Sequence, residues 1–332
     1  MPAAFRSRRV LATSAAVVAL LLAVLLSLAV GARPIAPSTV LDALLHGGTS
    51  PDAEVVRQLR VPRTLIGLMV GAALALAGTA LQGITRNPIA DPGILGISQG
   101  SSVGVVLAIA FFGVHSLTGY VWFAFAGAAL AAVAVHAVAS SGRGGATPVK
   151  LALGGAAINA LLLSVTTGVL TTKASALDEF RFWQIGSLDG RDAQIVGQIW
   201  PFLLLGAVLV VSVARGLDAL ALGEDVAKGL GQRVATVRIV GGIGATVLTG
   251  AGVAAAGPVA FVGLAVPHIA RAVVGSEWVL PMAAVVGPVM LLVADVAGRI
   301  VFPPGEVPAG VMTALIGVPF LVTLVRRKAV AA

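Results

Sequence analysis

Residues 60–104 read RVPRTLIGLMVGAALALAGTALQGITRNPIADPGILGISQGSSVG. From Leu65 to Gly83 the run is apolar and rich in Gly and Ala, with Gly67 and Gly71 four residues apart, a spacing that lets a second helix approach closely. Such a stripe suits packing inside a membrane rather than a face turned to water. ITRNPIADPG then brings a charge, two prolines and a glycine, and from Ile94 to Val114 the chain is apolar again. The stretch therefore predicts a transmembrane hairpin whose rigid polar tip turns at a membrane surface.

Composition extends that reading to the whole chain. Over 332 residues, 58% are hydrophobic, 11% are charged, and the mean hydropathy is +1.01. This is more apolar surface than a water-soluble core could bury. The formal net charge of +8 does not point to nucleic acid, because the basic residues cluster at the ends of apolar runs, where they orient membrane proteins. With no cysteine, disulfides and thiolate metal sites are excluded.

Ten apolar spans are expected: Val10 to Val30, Leu59 to Gly83, Ile94 to Val114, Gly119 to Ala139, Val149 to Thr171, Ile195 to Ala214, Val234 to Ala255, Val259 to Val274, Val279 to Ala297, and Ala309 to Val325. The first, behind Arg6, Arg8 and Arg9, is longer than a usual signal core and reads as an uncleaved helix, a cleaved signal peptide being the alternative. Gly31 to Arg57 reads as an irregular external loop. With both termini inside, fourteen Lys and Arg fall inside, among them Arg86, Arg143, Lys150, Arg215, Arg326, Arg327 and Lys328, against eight outside. Gly71, Pro88 and Gly93 recur at the same spacing as Gly241, Pro258 and Gly263. Five spans separate the copies, so spans 2–5 and 7–10 would form an inverted repeat. The fold class is thus all-α, one transmembrane domain over residues 1–332.

No G-x-x-x-x-G-K-[ST] phosphate loop occurs, so ATP-driven work would need a partner. The longest internal loop, Arg215 to Val234, can fold as two short helices hinged at Gly223, with Leu217, Leu220, Leu222, Val226 and Leu230 on apolar faces and Glu224 and Asp225 at the second N-terminus. It could dock on a partner or lie on lipid. Arg60 and Arg63, three apart, would share a helix face outside, where Arg299 ends the ninth span. Headgroup contact, or an Arg299–Asp295 ion pair, are the plainer readings. Asn159, Ser164, Thr166 and Thr167 give the fifth span a polar face, for which interhelical hydrogen bonds are as good an explanation as a ligand. His268 has no histidine or acidic neighbour at metal-ligand spacing, and no enzymatic constellation is present.

Three motifs carry a resemblance. Arg60, Pro62 and Arg63 open a helix that ends in Gln82, Arg86, Asn87, Pro88, Ala90 and Pro92; GPVAFVGLAVPHIAR spans Gly257 to Arg271 with Pro258, Pro267, His268 and Arg271; and DVAGRIVFPPGEVPAGVMTALIGVPF spans Asp295 to Phe320. Together they resemble the FecCD-type permeases, membrane subunits of ABC importers for iron-siderophore, haem and cobalamin. The resemblance runs from about Val10 to Arg327.

It implies a permease with ten helices, paired with an identical or similar permease, working with two ATPase subunits and an extracytoplasmic binding protein in a bacterial inner membrane. Arg60, Arg63 and Arg299 would receive acidic residues of the binding protein. Residues 215–233, with Leu217, Leu220, Gly223, Glu224, Asp225 and Lys228, would be the coupling helices on the ATPase. The fifth and tenth spans would line the path, with Asn159, Ser164 and Thr166, and a gate at Ala146-Thr147. Gln82 and Asn87 would fasten the hairpin tip. ATP and Mg would sit on the partner, and this chain would hold no cofactor or metal. Ferric siderophore is the expected cargo, ahead of haem or cobalamin; an ion-coupled carrier or a scaffold is the other class. An ion-coupled carrier would usually keep an ionisable relay inside its helices.

Overall fold

A computed structural model describes residues 3–31, 33–141, 147–303 and 305–330, and shows no strand among them. Ala146 and Arg143 lie outside the described residues, as do the side chains of Arg6, Arg8, Arg326, Arg327 and Lys328. The α-helices are α1 (Ala3–Ala29), α2 (Pro37–Leu45), α3 (Pro51–Glu54), α4 (Val61–Thr85), α5 (Ile97–Phe112), α6 (Leu117–Ser140), α7 (Pro148–Thr172), α8 (Ala174–Gln184), α9 (Ala193–Ser212), α10 (Ala214–Ala221), α11 (Glu224–Gly229), α12 (Val234–Ala256), α13 (Val262–Val274), α14 (Val279–Val301) and α15 (Ala309–Val330). Seven segments are long and apolar enough to cross a membrane, and three shorter apolar helices, Ile97–Phe112, Val262–Val274 and Ala309–Val322, complete the ten expected spans.

The centre is α4, which packs against α9, α12, α13 and α14. In its apolar window 78% of residues are buried, against 11% for the peripheral α1. Small residues make this possible. A Cβ on Gly71 would meet the backbone of Gly287 and Pro288 in α14, and one on Gly78 would meet the carbonyl of Gly263 in α13. Backbones at that distance gain contact on both sides, the main attraction available where lipid is as apolar as the protein. The order α4, tip, α5, α6, α7 recurs as α12, tip, α13, α14, α15, with the shorter helix second in each set. That matches the repeat expected from the glycine and proline spacing.

The segment read as an irregular loop, Gly31 to Arg57, is largely helical instead. It holds α2, α3 and the start of a π-helical turn, Val55–Arg60, that runs into α4. Pro62 explains the wide turn: it has no N–H for the carbonyl four residues back and crowds it, and Val61 donates to Val56, five back. Leu28, Ile35, Val40, Ala43, Ala53 and Val56 bury one another beneath this cap, which marks the outer end of the bundle. The cap fixes the outer end of α1 against the start of α4.

Candidate functional site

At the outer end, α4 and α14 bring together residues 232 positions apart. Arg63 Nε donates to Asp295 Oδ2 at 3.1 Å and its Nη2 to Asp295 Oδ1 at 2.9 Å. Its Nη1 also donates to Asp189 at 3.1 Å and Nη2 to Glu306 at 2.7 Å. Arg299 pairs with Asp295, one helical turn away, and donates to the carbonyls of Ser27 at 2.8 Å and Val30 at 3.0 Å. Arg60 turns the other way, into α1 and the cap, where it donates to the carbonyls of Leu28 at 2.7 Å and of Arg33. Arg60 and Arg63 therefore do not share a face, because the π turn that ends at Arg60 offsets it from the α4 register. All three guanidiniums are drawn into the fold, and the Arg299–Asp295 pair, the plainer sequence reading, is present. Nearby, burial pushes the Arg191 guanidinium down to about 10, opposed by the negative charges of Asp189 and Asp192.

The hairpin tip is fastened as the sequence suggested. Arg86 ends α4 in the left-handed region, φ 51°, and the Asn87 side chain accepts from the Ile89 N–H at 3.1 Å. Asp91 caps the following turn by accepting from Gly93 N at 2.8 Å, and burial raises its carboxyl above the usual range. Gln82 Nε2 reaches the carbonyls of Ala90, Gly263 and Leu264 at 3.3–3.4 Å. Pro267 accounts for that reach. It cannot donate to Gly263 four residues back, so this carbonyl is left for Gln82. His268 Nδ1 donates to the Leu264 carbonyl at 3.1 Å, Arg271 lies in the last turn of α13, and the left-handed Phe261 follows the Gly257-Pro258 tip.

At the other end α10 and α11 meet at Gly223, φ +124°, the hinge read from the sequence. The structure divides the expected coupling residues into two sets. Leu217 and Leu220 are buried, Leu217 against Gly83 of α4, and anchor the pair to the bundle. Leu222, Val226 and Leu230 face outward, with Asp225 and Lys228 exposed beside them. Glu224 accepts from Lys228 at 3.0 Å and from Arg238 of α12 at 2.8 Å. Those bonds, Lys228 first, hold its carboxyl below the usual range.

Along α7 the structure reassigns the polar face. Asn159 Nδ2 donates to the Gly93 carbonyl at 3.0 Å and so ties α7 to the hairpin tip. Thr166 is buried and bonds its own helix at Leu162. Ser164 is exposed and bonds Ala160; Thr147 caps α7 by accepting from Lys150 N at 3.3 Å. Ser164, Thr167, Gly168 and Thr171, at i, i+3, i+4 and i+7, form one exposed polar and small-residue stripe, and Leu161, Leu163 and Val165 of the same helix are exposed too. Leu315, Ile316, Val318 and Val322 of α15 are exposed as well.

The whole chain can now be compared with known proteins. Residues 19–327 match the FecCD transport family. The chain belongs to that family. It is 42% identical over 323 residues to the ferric enterobactin transport system permease protein FepD of Escherichia coli (strain K12), covering 96% of each. To the iron(3+)-hydroxamate import system permease protein FhuB of Bacillus subtilis (strain 168) it is 41% identical, covering 93% of this chain and 81% of that one. To the cobalamin import system permease protein BtuC of Halobacterium salinarum it is 39% identical, covering 87% of this chain and 78% of that one. A solved metal-chelate type ABC transporter in an inward-facing conformation superposes with a TM-score of 0.82 at 29% identity, over 94% of this chain and 98% of that one. The three motifs quoted from the sequence fall on the structural junctions just described: the Arg63 cluster, the Gln82 clamp and the Gly257-Pro258 tip. This is a multi-pass membrane permease, a transport component.

Proposed function

We propose that this chain is the permease subunit of an ATP-driven importer of ferric siderophore. The observation that carries the reading is the family match across residues 19–327, with identities above 40% to permeases named for ferric enterobactin and iron-hydroxamate. The partners follow from surfaces left uncovered. Leu222, Val226 and Leu230 offer an apolar face to an ATPase subunit, which supplies the phosphate loop, ATP and Mg that this chain lacks. The thinly covered α7 and α15 suit a second permease, identical or homologous, with the path between the two subunits. The outer cluster around Arg63 receives an acidic binding protein, Arg60 and Arg299 holding it in place from below. The chain holds no cofactor or metal of its own. It sits in the bacterial inner membrane with both termini in the cytoplasm, a reading supported by the bias of fourteen basic residues inside against eight outside.

Cobalamin is the second reading, favoured by the 39% identity to a cobalamin permease. Uptake of labelled ferric siderophore, haem and cobalamin, in cells lacking the chain and in cells with it restored, separates the two. Loss and rescue of ferric siderophore alone is expected. Loss and rescue of cobalamin alone would replace the first reading by the second, and no change in any, repeated with purified components, would remove the substrate assignment.

A further inference from the structure

Arg63 binds carboxylates from three segments, and they differ sharply in exposure. Asp295, within α14, is 1% exposed; Glu306, in the α14–α15 connection, is 28% exposed; Asp189, in the α8–α9 connection, is 71% exposed. A buried pair is costly to open because each partner is left as an uncompensated charge, whereas an exposed pair gains little over water. Asp295 is therefore a fixed partner of Arg63, and Asp189 and Glu306 are exchangeable ones. Among the described residues, Arg60 has no exchangeable carboxylate in its hydrogen bonds, and Arg299 binds Asp295, Ser27 and Val30. Of the three arginines, only Arg63 can turn to an outside acid without giving up a buried bond.

The exchangeable carboxylates also sit on segments that hold other elements together. Asp189 follows a turn in which Ser187 N donates to Ala256 O at 2.8 Å, and Gly310 N donates to Gly186 O at 2.9 Å. That turn joins the end of α8 to the end of α12 and the start of α15. Glu306 precedes Val307, whose N–H donates to the Gly298 carbonyl of α14 at 2.9 Å. We propose that Asp189 and Glu306 form a latch on Arg63, standing in for acidic side chains of a docking protein. An acidic partner replaces them on the guanidinium, carboxylate for carboxylate, and so frees the segments that fix the outer ends of α8 and α15. Docking then shifts the outer ends only by as much as the partner prefers the open latch. This inference rests on the reading that an acidic binding protein docks at Arg63.

The test uses the permease assembled with its ATPase in nanodiscs, with the binding protein as probe. Affinity is read by surface-immobilised binding, and ATPase rate is read without and with the binding protein. Asp189→Asn with Glu306→Gln keeps shape and removes charge. It is expected to tighten binding about fivefold to tenfold, the worth of two exposed pairs, and to raise the unstimulated ATPase rate toward the stimulated one. Asp189→Asn alone, at the most exposed of the three carboxylates, leaves the fold intact and is expected to move both readouts the same way by less. Arg63→Gln is expected to weaken binding. If Arg63→Gln weakens binding while the two carboxylate variants change neither readout, the latch is overturned and the docking reading stands. If Arg63→Gln leaves affinity unchanged, the docking reading fails and the latch fails with it.

Discussion

The two ends of this molecule solve opposite problems. The outer end gathers Arg60, Arg63, Arg299 and Asp295 into a network in which charges from α4 and α14 and carbonyls from α1 satisfy one another. The inner end exposes Leu222, Val226 and Leu230 on helices too short to be stable alone. A charge taken out of water must find its partner within the chain, because an unpaired one is far more costly than an exposed leucine. An apolar face can wait for a partner protein and gains free energy when covered. Closed polar regions therefore mark where this chain holds itself together, while an open apolar face is left for lipid or a partner to cover.

The largest effect is expected where the closed region is broken. Asp295→Ala removes the buried carboxylate that Arg63 and Arg299 share and should cost about 3–5 kcal/mol in a denaturant series on the detergent-solubilised protein. Glu306→Gln, at the exposed rim of the same network, should cost no more than about 1 kcal/mol. Equal losses would mean that burial does not rank these pairs and that the outer end is not closed in the sense argued.

At the open region the expectation reverses, with function lost and stability kept. Leu222→Glu with Val226→Glu changes two outward side chains, so stability should stay within about 0.5 kcal/mol. Uptake should fall at least about tenfold, as when central contacts of an interface are removed. Leu220→Glu, two residues before Leu222 on the opposite, bundle-facing side of α10, should instead prevent folding, since Leu220 is fully buried. Uptake that survives the outward pair would show that this face rests on lipid and not on an ATPase.

How legible these regions were in the sequence follows from the range of the interactions. The spans, the hairpin tip, the Gly223 hinge and the close approach at Gly71 depend on local pattern and were readable. The tip clamp was readable in kind, since Gln82 stood out in a motif, but its bond to Gly263 needed the fold. Arg63 with Asp295 was not readable at all: 232 residues separate them, and spacing carries no signal over that distance. Arg60 was misdirected because the rule that residues three apart share a face assumes an α register, and Pro62 imposes a π turn. Asn159 was placed on the path by the family resemblance, beside the equal reading of an interhelical bond, and a polar side chain in a span cannot by itself tell a cavity from the neighbouring Gly93 carbonyl. The split of Leu217 and Leu220 from Leu222 likewise depends on which side of α10 meets α4. The external helices α2 and α3 went unread because proline and glycine at their ends looked like loop.

A third polar contact lies between the two extremes and should respond least. Glu179 of α8 accepts from Tyr120 of α6 at 2.9 Å and bonds His115 Nδ1 at 2.9 Å, so it ties the external helix to the α5–α6 connection. The His115 bond chiefly, with Tyr120 adding to it, holds the Glu179 carboxyl below its ordinary 4.5. A depressed carboxylate stabilises the fold above its unfolded value and loses that contribution as pH falls through the lower, folded value. The tie is therefore whole at neutral pH and weakens only in acid, below 4.5. Because both Glu179 and His115 are substantially exposed, solvent screens the contact and the effect is small. Amide exchange across Ala174–Gln184 should rise by less than about threefold in Glu179→Gln at neutral pH. On acidification the wild type should approach the variant, each corrected for intrinsic exchange. If the two differ as much in acid as at neutral pH, Glu179 acts by packing and not by charge, and the tie belongs with the closed region; if they never differ, the contact adds nothing to the buried Ala176, Phe180 and Trp183 that seat α8.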